Sequence, residues 1–284
     1  MSITHRLVHV GRLELHVAEV GSGPAVLFLH GFPAFWADFR VQMEAVAARG
    51  FRAIAPDLPG YGQSQQLPEV RDYDVELLAA DLAGLISALS LSKVHVVGHD
   101  WGGILAFCLA SRHPELVERL VVINAPHPTL FVQALRHFDQ LRRSWYVFMF
   151  QLPWLPEWLV CRHLAMALAM RGMAVRSGAF SRADVATYLS AMRTPGVARG
   201  ALGYYRAAFR ARSAGPWLVP SRTLVLWGEQ DHALSAELLL RDLALHVPEV
   251  RIERFPDAGH WLHHDLPDVV SRELIEFLSV SAKS

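Results

Sequence analysis

A mostly parallel β-sheet with helices on both faces is the fold class this chain predicts, and three observations predict it. Strand-like and helix-like segments alternate over roughly the first 125 residues. Several candidate strands are short, continuous apolar runs, as expected of strands buried on both faces. The alternation stops near Pro126 and strand signals return after Ser213, so one core interrupted by an inserted segment accounts for the whole chain. The boundaries read as 1–125 for the first part of the α/β core, 126–213 for a helical cap and 214–284 for the second part of the core.

Leu13 to Val20 alternates apolar and polar residues, as an early half-exposed strand does. Ala25-Val26-Leu27-Phe28-Leu29 is a buried-strand run ending at His30-Gly31. Trp36, Phe39, Met43 and Val46 recur at helical spacing, and Arg52 to Pro56 is the next strand. A turn-rich stretch, Asp57-Leu58-Pro59-Gly60-Tyr61-Gly62, precedes a helix with Leu78, Leu82, Leu85 and Leu89 on one stripe. Lys93 to Val97 is a strand, Ile104 to Ala110 a buried helix, and Leu120 to Ile123 another strand. The inserted region is rich in aromatic residues, methionine, arginine and alanine at helical spacing, broken at Pro153, Pro156 and Pro195-Gly196. Strands Thr223–Trp227 and Val250–Phe255 and helices over Ser235–His246 and Pro267–Leu278 complete the chain.

Composition excludes several classes. Hydrophobic residues make up 52% of the 284, enough for a large core, and the net charge is zero with no basic run, which argues against nucleic acid. Trp145 to Val160 is apolar and aromatic, but its prolines and Glu157 interrupt it and it is too short to span a bilayer. Cys108 and Cys161 have no metal-type spacing and read as buried thiols. With no apolar signal segment at the first residues, a cytoplasmic location is the expectation.

The most informative stretch is Gly98-His99-Asp100-Trp101-Gly102-Gly103, between a strand and a helix. Glycines there permit a cramped turn that holds the Asp100 side chain up at the strand end. The helix N-terminus behind it favours an anion. A carboxylate is ionised at neutral pH and displaces a leaving group at saturated carbon without prior deprotonation, whereas a serine needs a base first. Open parallel sheets bind ligands beyond the carboxyl ends of their strands. Three further segments fall at such ends: His30-Gly31-Phe32-Pro33, Trp227-Gly228-Glu229-Gln230-Asp231 and Asp257-Ala258-Gly259-His260-Trp261. They supply His260 as a base and Asp231 or Glu229 to orient it, with Asp231 preferred. The N–H groups of Phe32 and Trp101 are candidates for an oxyanion hole, and Pro33 for a cis bond. His263 and His264, without such context, read as surface or packing residues.

These motifs resemble the α/β-hydrolase fold family, whose catalytic residues occur in the chain order nucleophile, acid, histidine. Among its branches the sequence is most similar to the epoxide hydrolases. HGFP, DLPGYGQS, GHDWGG, NAPHP (Asn124 to Pro128), WGEQD and GHW carry the resemblance across nearly the whole chain. It implies a sheet flanked by helices with an inserted helical cap, and it favours Asp231 over Glu229. The aspartate elbow is shared with haloalkane and haloacetate dehalogenases. The former usually place Asn where Phe32 stands and the latter Arg where Trp101 stands, although the Trp101 indole could also face a halide. The cap decides between them. Tyr146-Val147-Phe148-Met149-Phe150-Gln151-Leu152-Pro153 and Gly203-Tyr204-Tyr205-Arg206 resemble the two tyrosine-bearing segments of epoxide hydrolases. The match implies that Tyr146 and Tyr205 donate hydrogen bonds to an epoxide oxygen, with Tyr188 or Tyr204 as alternatives; without it, cap tyrosines read as packing residues.

The implied activity is cofactor-free hydrolysis of a small apolar epoxide by water to a vicinal diol, through an alkyl ester on Asp100. A dehalogenase using the same Asp100, Asp231 and His260 is the alternative. A non-catalytic ligand-binding protein on the same scaffold is the remaining one.

Overall fold

The computed structural model describes residues 2–210 and 217–279. The chain enters through an antiparallel pair, β1 (Thr4–Val10) and β2 (Leu13–Gly21), followed by β3 (Ala25–Leu29), α1 (Arg40–Ala47) and β4 (Arg52–Pro56). Then come α2 (Val75–Ala88), β5 (Val94–His99), α3 (Trp101–Arg112) and β6 (Val117–Ile123). Among the described residues, seven helices lie between β6 and the next strand. They are α4 (Pro128–Ala134), α5 (Phe138–Arg143), α6 (Trp145–Met149), α7 (Leu155–Val160), α8 (His163–Arg171), α9 (Arg182–Arg193) and α10 (Val197–Arg210). The expected cap ends at residue 213, outside the described residues. The core closes with β7 (Arg222–Gly228), α11 (Ala236–Leu240), β8 (Val250–Phe255), α12 (Leu262–Asp265) and α13 (Pro267–Ser279).

The eight strands form one sheet in the order β1-β2-β4-β3-β5-β6-β7-β8, parallel from β4 to β8. Alternate residues of each central strand feed opposite cores. Leu27, Leu29, Val96, Leu120, Val122 and Val225 face one layer with α2, α3 and the inserted helices. Val26, Phe28, Val97, Val121, Ile123, Leu224 and Leu226 face the other with α1 and α13. Full burial of each such side chain is worth roughly 1.5–3 kcal/mol, so the two-sided core dominates the stability of the sheet. From β3 the chain crosses to β4 on one side and reaches β5 on the other. The loops after β3 and β5 therefore diverge around a crevice, where open α/β sheets bind ligands.

Three elements depart from the sequence reading. β1 was not expected; it is an edge strand with most of its residues exposed, so it carries little apolar signal. β2 is buried along nearly its whole length rather than half-exposed. Its polar His16 is accommodated because Nδ1 lies 2.8 Å from Asp57 Oδ2. The helix expected over Ser235–His246 breaks after α11 and resumes as a short tight turn at Leu243–Leu245, which puts Leu243 in the core and turns the chain toward β8.

Candidate active site

Asp100 sits between β5 and α3 with φ +50°, a left-handed conformation costly for a residue with a Cβ, at about 1–3 kcal/mol. The surroundings hold it there. A side chain at Gly102 would collide with the Leu29 carbonyl, so the first turn of α3 packs directly on β3. A Cβ at Gly31 would stand 2.5 Å from the Asp100 Cβ, so the glycine of the His-Gly-Phe-Pro motif leaves room for the carboxylate. The Phe32–Pro33 bond is cis, as expected.

The two oxygens of Asp100 have different neighbours. The Phe32 backbone N–H donates to Oδ1 at 2.8 Å, and Oδ2 faces His260 Nε2 at 3.8 Å. The other ring nitrogen of His260, Nδ1, donates to Asp231 Oδ2 at 2.8 Å. Asp231 is buried and well partnered: Oδ1 accepts from the N–H groups of Ala233 and Leu234, and Oδ2 also accepts from Asn124 Nδ2 at 2.9 Å. Burial works against its charge, but His260, Asn124 and the Ala233 N–H outweigh it and hold the carboxyl below its ordinary range. Burial also disfavours an imidazolium at His260, yet Asp231 and Asp100 prevail and raise the ring to about 9. Glu229, the alternative acid, is exposed and paired with Arg254 at 2.7 Å.

Above the carboxylate stand two phenols from the inserted helices, Tyr146 on α6 and Tyr205 on α10, with ring centroids 6.0 Å apart. Burial first, and the Asp100 charge second, push both hydroxyls above the usual phenol range, so each is a firm hydrogen-bond donor at neutral pH. Tyr205 also packs edge-on against Trp101 at 5.0 Å and Phe32 at 5.4 Å, which closes an aromatic wall around the carboxylate. The alternatives are engaged elsewhere: the Tyr204 hydroxyl donates to the Pro59 carbonyl and that of Tyr188 to Asp38 Oδ1, each at 2.9 Å.

Several supporting residues had no site role in the sequence reading. Gln151 Nε2 donates to the carbonyls of Val147 and Tyr205, and Arg206 donates to the carbonyls of Phe150 and Leu152 while pairing with Glu157. Together they bind the two tyrosine-bearing helices to each other. Gln140, buried on α5, donates to the Ala233 carbonyl and accepts from the Ser235 N–H, and Arg143 donates to the Asp231 carbonyl. The segment that leads into Tyr146 is thereby fastened to the Asp231 loop. Asn124 was visible only as part of a motif. It has φ +39° and bridges β6 to β7 through the Gly228 backbone while reaching Asp231.

Beneath His260 lies a polar cluster that the isolation of its members in the sequence did not suggest. His99 Nε2 donates to the His260 carbonyl at 3.0 Å. Asp38 gathers His264 Nε2 at 2.8 Å and His263 Nε2 at 3.1 Å. His263 is fully buried, and that burial pushes its ring down to about 3. The pair expected as surface or packing residues thus also forms part of a buried network, because α12 starts immediately after the histidine loop and turns both rings inward. Cys108 is buried as expected and Cys161 only half-buried; both are unpaired. No helix among the described residues is long and apolar enough to cross a membrane.

Fold and elbow together define an α/β hydrolase with a carboxylate where that fold commonly carries a hydroxyl. Residues 24–267 match the α/β hydrolase fold family. The chain is 38% identical over 277 residues to epoxide hydrolase 3 of Xenopus tropicalis, a match that covers 94% of this chain and 75% of that one. It is 33% identical over 287 residues to human epoxide hydrolase 4, covering 97% and 79%. A crystal structure of Bacillus megaterium epoxide hydrolase with an inhibitor superposes with a TM-score of 0.88 at 28% identity, over 97% of this chain and 100% of that one. The chain belongs to the α/β-hydrolase fold family and, within it, to the epoxide hydrolases.

Proposed function

We propose that the protein hydrolyses an apolar epoxide to a vicinal diol through an alkyl ester on Asp100. The observation that carries this reading is the pair of buried phenols, Tyr146 and Tyr205, neighbours of each other and near enough to the elbow aspartate to feel its charge. An epoxide oxygen leaves as an alkoxide, a poor leaving group, and two donors aimed at it supply the stabilisation that ring opening needs. A halide is a weak base that leaves without taking a proton, so a pair of phenols that can supply one favours the epoxide over the dehalogenase reading.

In the first step an Asp100 oxygen attacks one ring carbon and the carbon–oxygen bond breaks. The electron pair goes to the departing oxygen, which takes a proton from a phenol. In the second, His260 removes a proton from water, and the resulting hydroxide attacks the carboxyl carbon of the ester. The N–H groups of Phe32 and Trp101 hold the tetrahedral oxyanion. The support for Phe32 is its existing hydrogen bond to Asp100 Oδ1. The tetrahedral intermediate collapses, the ester oxygen leaves with the proton held by His260 to complete the diol, and the carboxyl proton left on Asp100 returns to the phenolate, which restores both groups. Esterification also removes the Asp100 charge, one of the charges that keep His260 protonated, and so lowers the ring's affinity for its proton when the ester forms.

The inserted segment, residues 126–213, acts as a cap whose helices bring the phenols over the core. Their aromatic and methionine content suits an apolar substrate. Two unpaired cysteines fit a cytoplasmic setting. Incubation with styrene oxide, an aliphatic epoxide, a short haloalkane and fluoroacetate tests the reading. Diol from at least one epoxide without halide release supports it, and halide release with no diol from any epoxide refutes it.

A further inference from the structure

The inserted helices carry a surface that the proposed chemistry does not use. Phe138, Trp145, Trp154 and Leu164 are 79%, 63%, 83% and 71% exposed, and Trp158 and Leu168 are also more than half exposed. All six lie on consecutive short helices and one connecting loop, α5 to α8. Aromatic side chains carry about 150–250 Å² each. The four exposed ones alone leave on the order of 500 Å² of aromatic surface in water, spread along α5 to α7.

The charges around this surface have one sign. Residues 131–180 contain six arginines and only two carboxylates, in a chain whose total charge is balanced. Both carboxylates are already matched, Asp139 with Arg142 and Arg143, and Glu157 with Arg206. Arg136, Arg142, Arg162 and Arg171 are exposed, and the Arg162 guanidinium lies 4.2 Å over the Trp158 ring. Tryptophan beside arginine on an amphipathic helical surface is the composition that settles at the boundary between lipid headgroups and acyl chains. A second copy of the chain fits less well. A two-fold contact sets a patch against itself, so the arginine fringe would meet its own like charges.

We infer that α5 to α8 dock on an anionic lipid bilayer surface, with Trp145, Trp154, Trp158 and Leu164 entering the headgroup boundary and the arginines meeting lipid phosphates. The docking stands on this surface alone. Its use rests on the proposed reaction: Tyr146 is the immediate neighbour of the exposed Trp145 on α6, so the surface and a residue of the proposed site share one helix.

Flotation of the full chain with vesicles tests the docking. The wild type is expected to float with phosphatidylcholine vesicles containing about 30% phosphatidylglycerol, and less in high salt. Trp154→Ser/Trp158→Ser/Leu164→Ser should cut the vesicle-bound fraction ~10-fold or more. Its thermal unfolding and its turnover of a small water-soluble epoxide should match the wild type. A wild-type chain that stays unbound at low salt overturns the inference. So does a concentration-dependent wild-type dimer that the triple substitution converts to monomer, since the surface then belongs to a second copy. Binding to vesicles without diol formation from any epoxide leaves the docking standing and removes the catalytic reading.

Discussion

His260 Nε2 and Asp100 Oδ2 stand 3.8 Å apart, close enough to attract and too far to be hydrogen-bonded. The ring is held from its other side by Asp231 at 2.8 Å, so Nε2 is the nitrogen turned toward the carboxylate and toward any water entering beside it. In the proposed mechanism this gap separates the duties of the two residues: Asp100 would attack without help from the imidazole, and the imidazole would serve only the hydrolysis of the ester.

His260→Gln should therefore permit the first step and block the second. Mixed with a reactive epoxide, the variant should gain the mass of one substrate on Asp100 while steady-state turnover falls by about 10²–10⁴-fold. Intact-protein mass spectrometry checks this, and normal turnover by the variant removes His260 from the base role. Asp100→Asn should show no adduct at all.

The raised imidazole also makes stability depend on pH. Its folded value of about 9 lies above the ordinary 6.5, so the folded state holds the proton more tightly than the unfolded one. The stabilisation is complete below pH 6.5 and is lost as pH rises toward 9. Thermal midpoints of the wild type should fall across that window more steeply than those of His260→Gln. Parallel curves for the two proteins would show that the ring is not an imidazolium held by Asp231 and Asp100.

Each phenol should contribute to ring opening. Tyr146→Phe and Tyr205→Phe keep the aromatic wall and remove one donor, so each should lower the rate of ester formation by about 10–10³-fold. The double substitution should reduce it further. Stopped-flow tryptophan fluorescence reads the step, and unchanged alkylation by both single variants would move the oxygen-binding role to another group.

Gln140→Ala should destabilise the fold although the residue touches no reacting atom. It strands the buried Ala233 carbonyl and Ser235 N–H, at about 1–3 kcal/mol for each unsatisfied group. It also loosens the loop that sets Asp231, so kcat should fall more than KM rises. Denaturant unfolding and steady-state kinetics together check this; an unchanged midpoint means the loop is held without Gln140.

Residues whose environment is written locally were legible in the sequence. Asp100, Phe32, Asp231 and His260 each end a strand within a glycine-punctuated turn, and an apolar run marks most of those strands, so their convergence followed from the geometry of a parallel sheet. The tyrosines were accessible only through family resemblance, because nothing in a short aromatic helix distinguishes a donor facing the site from a packing ring. Gln140, Arg143 and Arg206 were invisible for another reason. Their partners are mostly backbone carbonyls supplied by distant segments, which leave no residue-type signature. Asp38, His99 and His263 likewise meet only once a turn after β3, the end of β5 and α12 are packed together.

The central claim is that Asp100 itself donates an oxygen to the product. Enzyme in excess over epoxide, reacted for a single turnover in water enriched in oxygen-18, tests it most directly. The diol from that turnover should carry no label, and the label should appear in the Asp100 carboxylate. Diol that carries oxygen-18 from the first turnover would mean that water attacks the ring directly and that no ester forms.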